Sequence, residues 1–548
     1  MILQQPTPPK RRKKMTTKKL FITAFLLTLL SFPVSAISQE YHLLILAPYD
    51  FVDALLPLKY WKDETGRPTT IVTIGDIEEK GYRRTKDQPE RIKRCIEEYV
   101  RNHNVQYVMI AGDSDKFPVR YVKAYNTQWG DKYYPSDLYY MDLYDAAGNF
   151  DNWDGDGDNI IGEIDFKGGT NLSLVNLDDI DMYPDVAVAR VPASTEAEIA
   201  TYVTKVIDYE HHAPGSWFDD ALLVVDGGGG AFGNTTKMDA VATASLSSFT
   251  VTKYYQNNTP YNTMNITQRG TQINNALNNG VGIVHLYGHG NRLLWDGWYT
   301  QNRIPALTNN LMLPIVFANA CYTGRFHFDR NNYMDKNGFV WSGGGTNFPE
   351  PMAIQPSTYD SHNNESLTEH FLVKNTGGAV GYIGCTSVIE HGAWLSTTKG
   401  LSPYFFEEYD NGIRVLGEMW KNALTTFIND LHHPTTGGMY YYAFLHIHKM
   451  MLFGDPSLAV GGLERSRTTT TIFPEFECPI EIIFEIYPVE TELLKKIYEM
   501  ALRNPEENLE ILEIYNEWCH FILEVLEEEE ECKERIRMMT EEIAHLIE

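Results

Sequence analysis

The sequence predicts an α/β fold: a parallel sheet sandwiched between helices, in two related subdomains, followed by an acidic helical tail. Three observations carry that expectation. Short continuous apolar runs ending on Gly, Asp or polar residues recur along the chain, as strands buried on both faces require. Segments with helical apolar spacing alternate with them, and a β-α-β order favours parallel pairing with helices on both faces. Beyond residue 462 the chain turns acidic, with a long three-four apolar spacing.

The elements follow in order. Residues 1–36 read as a secretory signal. Lys10-Arg-Arg-Lys-Lys14 and Lys18-Lys19 precede an apolar segment from Leu20 to Leu30, and Ser31-Phe-Pro-Val-Ser-Ala36 offers a small-residue cleavage site. Met15 is an alternative start. The apolar run is short for a membrane span of about 20 residues, so the expectation is a protein secreted or held at the cell surface. Residues 37–215 form the first α/β subdomain. Its expected elements are strands at Tyr41 to Ala47, Thr69 to Ile74 and Val105 to Ala111, with helices at Phe51 to Thr65, Gln88 to His103 and Thr195 to His211. Pro89 near the start of the second helix suits a first turn. Residues 216–462 form the second subdomain, opening on Ala221-Leu-Leu-Val-Val-Asp226 and running through two further apolar strands; a helix is expected from Ser366 to Val373. In residues 463–548, Ser466-Arg-Thr-Thr-Thr-Thr471 is linker-like. The seam Ile511, Tyr515, Trp518, Ile522, Val525, then Cys532, Ile536, Met539, Ile543, Leu546 predicts a coiled coil or helical hairpin, a surface for self-association or a partner helix.

Composition narrows the function classes. A formal net charge of −27, with no basic domain to offset it, argues against nucleic acid as a partner. Six cysteines at irregular spacing form neither a zinc ribbon nor a dense disulfide framework.

The chemistry-bearing residues lie in the second subdomain. Ile283-Val-His-Leu-Tyr-Gly-His-Gly290 and Leu313-Pro-Ile-Val-Phe-Ala-Asn-Ala-Cys-Tyr-Thr-Gly324 are apolar strands that end on turns carrying His289 and Cys321. Chemistry in open α/β sheets collects at the carboxyl ends of such strands. An imidazole beside a thiol generates the thiolate, the nucleophilic form. The backbone N–H groups of Gly290 and Cys321 are candidates to hold an oxyanion. Cys385 is the rival nucleophile, read as buried packing because no His-Gly turn accompanies it. His285 and His289 do not form a zinc helix, since the Glu of His-Glu-x-x-His is missing and the context is strand and turn. Trp295 and Trp298 either wall a pocket or pack.

These blocks resemble the gingipain-type cysteine peptidases, in the clan of caspases, legumains and clostripain. The likeness extends to Tyr107-Val-Met-Ile-Ala-Gly-Asp-Ser-Asp-Lys-Phe-Pro-Val-Arg120, Pro135-Ser-Asp-Leu-Tyr-Tyr140, Tyr183-Pro-Asp-Val-Ala-Val-Ala-Arg-Val-Pro192, Gly377-Gly-Ala-Val-Gly-Tyr-Ile-Gly384 and Phe453-Gly-Asp-Pro-Ser457, from about residue 40 to about 460. The resemblance implies a caspase-like fold, endopeptidase activity and polypeptide substrates, and does not reach the tail. It also implies an acidic residue upstream of the His; Asp226 is the candidate, the alternatives being a strand-end turn residue or a metal ligand. Two other outcomes stay open: a calcium-stabilised binding or assembly protein on an inactive peptidase fold, and a transpeptidase using the same thioester.

Asp151-Asn-Trp-Asp-Gly-Asp-Gly-Asp-Asn-Ile-Ile-Gly-Glu-Ile-Asp165 alternates carboxylates with glycines, the pattern of hard oxygen ligands that Ca²⁺ takes. Starting at Asn152, the loop offers Asp154, Asp156, Gly157 and Glu163; starting at Asp154, it offers Asp156, Asp158 and Asp165. The expected ligands of a structural Ca²⁺ are Asp154, Asp156, Asp158 and Glu163, with no organic cofactor.

Overall fold

The computed structural model describes residues 40–463, apart from 83–84, 128–129, 168–172, 213–214, 227–234, 327–331, 335–338, 343–351, 354–364, 390–399 and 432–439. The expected signal segment and the acidic tail lie outside the described residues.

Ten strands make one sheet: β1 Leu43–Ala47, β2 Thr69–Thr73, β3 Tyr107–Ala111, β4 Ala187–Val191, β5 Asp220–Val225, β6 Thr250–Tyr255, β7 Ile283–Tyr287, β8 Ile315–Asn319, β9 Gly381–Cys385 and β10 Met450–Gly454. Their order across the sheet is β6-β5-β7-β8-β9-β10-β4-β3-β1-β2. Every neighbouring pair is parallel except β9 and β10. That antiparallel pair reverses the direction of the sheet. The carboxyl ends of β5 to β9 therefore lie on the opposite edge from those of β1 to β4. Both expected halves contribute to this sheet, meeting where β10 joins β4.

Every residue of β1, β3, β4, β7, β8, β9 and β10 is buried. Successive side chains point to opposite faces, so both faces must be covered. Helices Val52–Glu64 and Glu196–His212 pack together on the first half, and Leu401–Asp410 packs on Leu416–Leu431 in the second. Among the described residues no helix is long and apolar enough to cross a membrane.

Local chemistry sets the boundaries. The helix Gln88–His103 begins where Asp87 accepts the Glu90 N–H and ends where Asn104 takes a left-handed turn at φ 60°. The strand expected through Ile74 stops at Thr73, because Thr73 and Asp76 form a reciprocal cap that opens a helix at Ile74–Lys80. Strand β6 was not foreseeable from an apolar run: only Tyr254 and Tyr255 of it are buried.

Two buried ionic groups tie the halves together. Lys62 lies 2.7 Å from both Glu210 and Asp455, and Glu210 also accepts the Ala459 N–H. Arg190 on β4 pairs with Asp137 through two bonds of 2.7 and 2.8 Å and donates to the carbonyls of Gly112, Phe117 and Pro118. Its guanidinium also lies 4.9 Å from the centre of the Phe326 ring, on the loop that follows Cys321. Buried charges persist where every donor is satisfied in this way.

Candidate active site

Three adjacent strands bring the residues expected from sequence to one edge of the sheet. Tyr287, the last residue of β7, stands beside Val225 of β5 and Asn319 of β8. Asp226 is the residue after β5, Gly288-His289 the turn after β7, and Ala320-Cys321 the turn after β8. His289 is exposed, Cys321 half-buried and Asp226 buried.

The turns touch because glycines let them. A Cβ on Gly288 would stand 2.4 Å from the Asp226 Cβ, and one on Gly290 would stand 2.8 Å from the Ala320 Cβ and 3.3 Å from the Cys321 carbonyl oxygen. The Asp226 carboxylate accepts the backbone N–H of His289 at 3.3 Å, so it holds the turn that carries the imidazole. Gly290 pairs with Trp295 in a short hairpin, and the Asp296 N–H donates to the His289 carbonyl. In that register Gly290 occupies a position without ladder bonds, so its N–H lies outside the hairpin ladder.

The turn that carries Cys321 is strained. Tyr322 has φ 59°, an unusual conformation for an aromatic residue, and its N–H is held by the Ser387 carbonyl at 2.9 Å. The N–H of Ile389 donates to Cys321 Sγ at 3.3 Å, and the Ile389 carbonyl oxygen lies 3.9 Å from the same sulfur. Neither Ile389 nor Lys449, which stands behind it, was singled out by the sequence. They arrive through backbone contacts between distant segments and leave no local signature.

The remaining candidates are structural. Cys95 and Cys385 are buried, and burial pushes the Cys95 thiol up to about 11. His285 sits inside β7 against Phe317 and Phe406, and burial lowers it to about 3, a neutral core imidazole. Trp295 and Trp298 pack: both are fully buried, donating to the Tyr382 hydroxyl and the Val225 carbonyl.

A sequence profile described as peptidase family C25 matches residues 36–461. The chain belongs to peptidase family C25. Gingipain R2 of Porphyromonas gingivalis is 26% identical over 155 residues, covering 27% of this chain and 20% of that protein. Lys-gingipain HG66 of the same organism is 26% identical over 183 residues, covering 32% of this chain and 10% of that protein. The chain thus spans about a fifth or less of the length of these relatives. The fold is similar to that of gingipain R, an Arg-specific cysteine proteinase, with a TM-score of 0.50 at 18% identity over 78% of this chain and 80% of that one. This is the caspase-like α/β arrangement that the sequence led us to expect. Family and relatives support a cysteine peptidase.

In this C25 chain the acidic loop leads into strand Glu163–Lys167 of a separate four-stranded sheet. Ligand oxygens of Asp154, Asp156 and Asp158 lie within 4.8 Å of one another. The loop folds back on itself: Asp154 accepts the Asn159 N–H, Asp156 the Asp158 N–H and Asp158 the Ile160 N–H. Asn159, five residues after Asp154, has φ 71°. Gly157, five residues after Asn152, has φ 80°, so each of the two registers has a left-handed residue at its sixth position, where Ca²⁺ loops turn sharply. Glu163 is not part of the cluster: it is buried and bonded to the Tyr125 hydroxyl, while Lys86 contacts Asp154. Trp153 anchors the base of the loop, donating to Asp142 and stacking edge-on against Tyr139.

Proposed function

We propose that this protein is a secreted cysteine endopeptidase that cleaves peptide bonds through a thioester on Cys321. The register that sets the His289 turn beside the Cys321 turn is the observation that carries this reading. His289 takes the thiol proton as Sγ attacks the scissile carbonyl, and the N–H groups of Gly290 and Cys321 stabilise the oxyanion. The C–N bond then breaks, and His289 passes its proton to the leaving amine. Water, losing a proton to His289, attacks the thioester and releases a carboxylate and the free thiol. Asp226 keeps the imidazole turn in position through the His289 backbone.

Calcium fits the acidic loop as a structural ion, held by Asp154, Asp156 and Asp158 in competition with the Lys86 ammonium. The signal-like residues 1–36 support export, and the apolar seam of the tail supports self-association or a helical partner.

Assaying hydrolysis of a mixed peptide library by the wild type, Cys321→Ala and His289→Ala tests the proposal. Loss of turnover in the first, and a drop of at least ~10²-fold in the second, support it. Wild-type turnover by Cys321→Ala overturns it.

A further inference from the structure

The peptide that joins Val388 to Ile389 is gripped from both sides. Its N–H, belonging to Ile389, donates to Cys321 Sγ at 3.3 Å. Its C=O, belonging to Val388, accepts from Lys449 Nζ at 3.1 Å. In a trans peptide the two groups point in opposite directions, so one planar unit links ammonium to sulfur. The topology explains why. Segment 386–389 continues β9 past the sheet edge, between the Cys321 turn after β8 and Lys449 just before β10. The Tyr322 N–H bonds to Ser387 and the Gly324 N–H to Cys385 on one side, and the Thr386 N–H to the Lys449 carbonyl on the other.

Lys449 is fully buried, with its ammonium 4.0 Å from the centre of the Tyr134 ring. A buried ammonium is costly unless it is bonded. Here the ammonium is held by a backbone carbonyl and an aromatic face. We propose that Lys449 is a positioning residue of the active site, fixing the Val388–Ile389 peptide so that its N–H supports the thiolate of Cys321. The inference rests on Cys321 being the nucleophile.

The physical case is a difference between protonation states. A thiol is a weak donor and a weak acceptor, whereas a thiolate only accepts. An N–H held on the sulfur therefore favours the thiolate, while the Ile389 carbonyl at 3.9 Å offers the thiol little. The Lys449 bond fixes the peptide plane and polarises it towards a stronger N–H donor. Other titratable groups around the turn are Tyr322, whose phenol feels both Cys321 and Cys385, and His289 on the adjoining turn; Arg325 adds a fixed charge. Tyr134 faces the ammonium. His446 and His448 are lowered to about 3 by burial and by the Lys449 charge, and so stay neutral.

The test is the pH dependence of Cys321 alkylation by iodoacetamide, read by mass spectrometry on the peptide that contains it, in the full chain. Lys449→Met should raise the alkylation midpoint by at least about one pH unit, and Lys449→Arg, which keeps a donor, should recover most of it. Because Lys449→Met can fail to fold, a second variant replaces Ile389 with its α-hydroxy acid. The resulting backbone ester replaces the N–H with an oxygen and weakens the Val388 carbonyl as the Lys449 acceptor, keeps every side chain, and should raise the midpoint similarly. An unchanged midpoint in the ester variant overturns the proposal, even if Lys449→Met shifts it. Failure of the peptidase reading is separate, since it shows as turnover by Cys321→Ala and leaves the alkylation profile readable.

Discussion

Gly290, directly after His289, is pressed against Ala320, directly before Cys321, with room for a hydrogen but not for a methyl: an added Cβ would stand 2.8 Å from the Ala320 Cβ. This contact brings the imidazole turn and the thiol turn together. Gly290→Ala should therefore separate them, at a cost of roughly 1–3 kcal/mol in stability from overpacking and with a larger loss in turnover. Thermal melting and peptide hydrolysis measured together check this. Full activity would mean the turns tolerate separation.

Asp226 acts on His289 through the backbone, so its substitutions should grade by hydrogen bonding. Asp226→Asn keeps an oxygen acceptor for the His289 N–H and should lose little activity. Asp226→Ala leaves that N–H without its carboxylate and should lose stability on the order of 1–3 kcal/mol, with activity falling alongside. A loss from Asn as large as that from Ala would show that the charge itself matters.

Much of this site was legible in the sequence, and the reasons are local. The His289 and Cys321 strands are short apolar runs ending on small residues, and parallel register does the rest. The helix at Gln88–His103 was legible from its apolar spacing and from Pro89 near its start, whereas its Asp87 cap came with the structure. The antiparallel β10 was not legible as a strand direction, because which neighbour it joins depends on the whole sheet. Ile389 and Lys449 escaped for a related reason: one contributes only a backbone N–H, and the other acts through a carbonyl 61 positions away. Glu163 matched a ligand spacing, yet it begins a strand and bonds to Tyr125.

Glu369 supplies a pH dependence of stability. Its carboxyl is fully buried, and burial raises it from 4.5 to about 8. The folded protein thus keeps a proton that the unfolded chain releases between those values, so stability should fall as pH rises from about 4.5 to about 8 and level off above. Glu369→Gln should flatten that part of a melting-temperature profile. An unchanged slope would mean another group sets it.

Calcium should raise the melting temperature by binding the folded loop in preference to the unfolded chain. Asp156→Ala should abolish the increment, and Lys86→Met should enlarge it by removing the competing ammonium. Equal midpoints in calcium and in chelator would leave the loop as a self-bonded acidic turn.

A chain ending at Leu463 keeps Asp455 on Lys62, the Ala459 N–H on Glu210 and the Gly461 N–H on the Tyr209 hydroxyl. It should stay folded and cleave peptides, with its association state altered. Sedimentation and a cleavage assay on the truncated chain decide it; a folded, inactive product would make the tail part of the catalytic unit.

The most direct measurement is covalent trapping. The wild-type protein is treated with a peptidyl acyloxymethyl ketone library, and the modified residue is mapped by mass spectrometry. The adduct should fall on Cys321, and His289→Ala should slow its formation by at least ~10²-fold. An adduct on Cys385, or labelling of Cys321 at the same rate without His289, would contradict a His289–Cys321 pair.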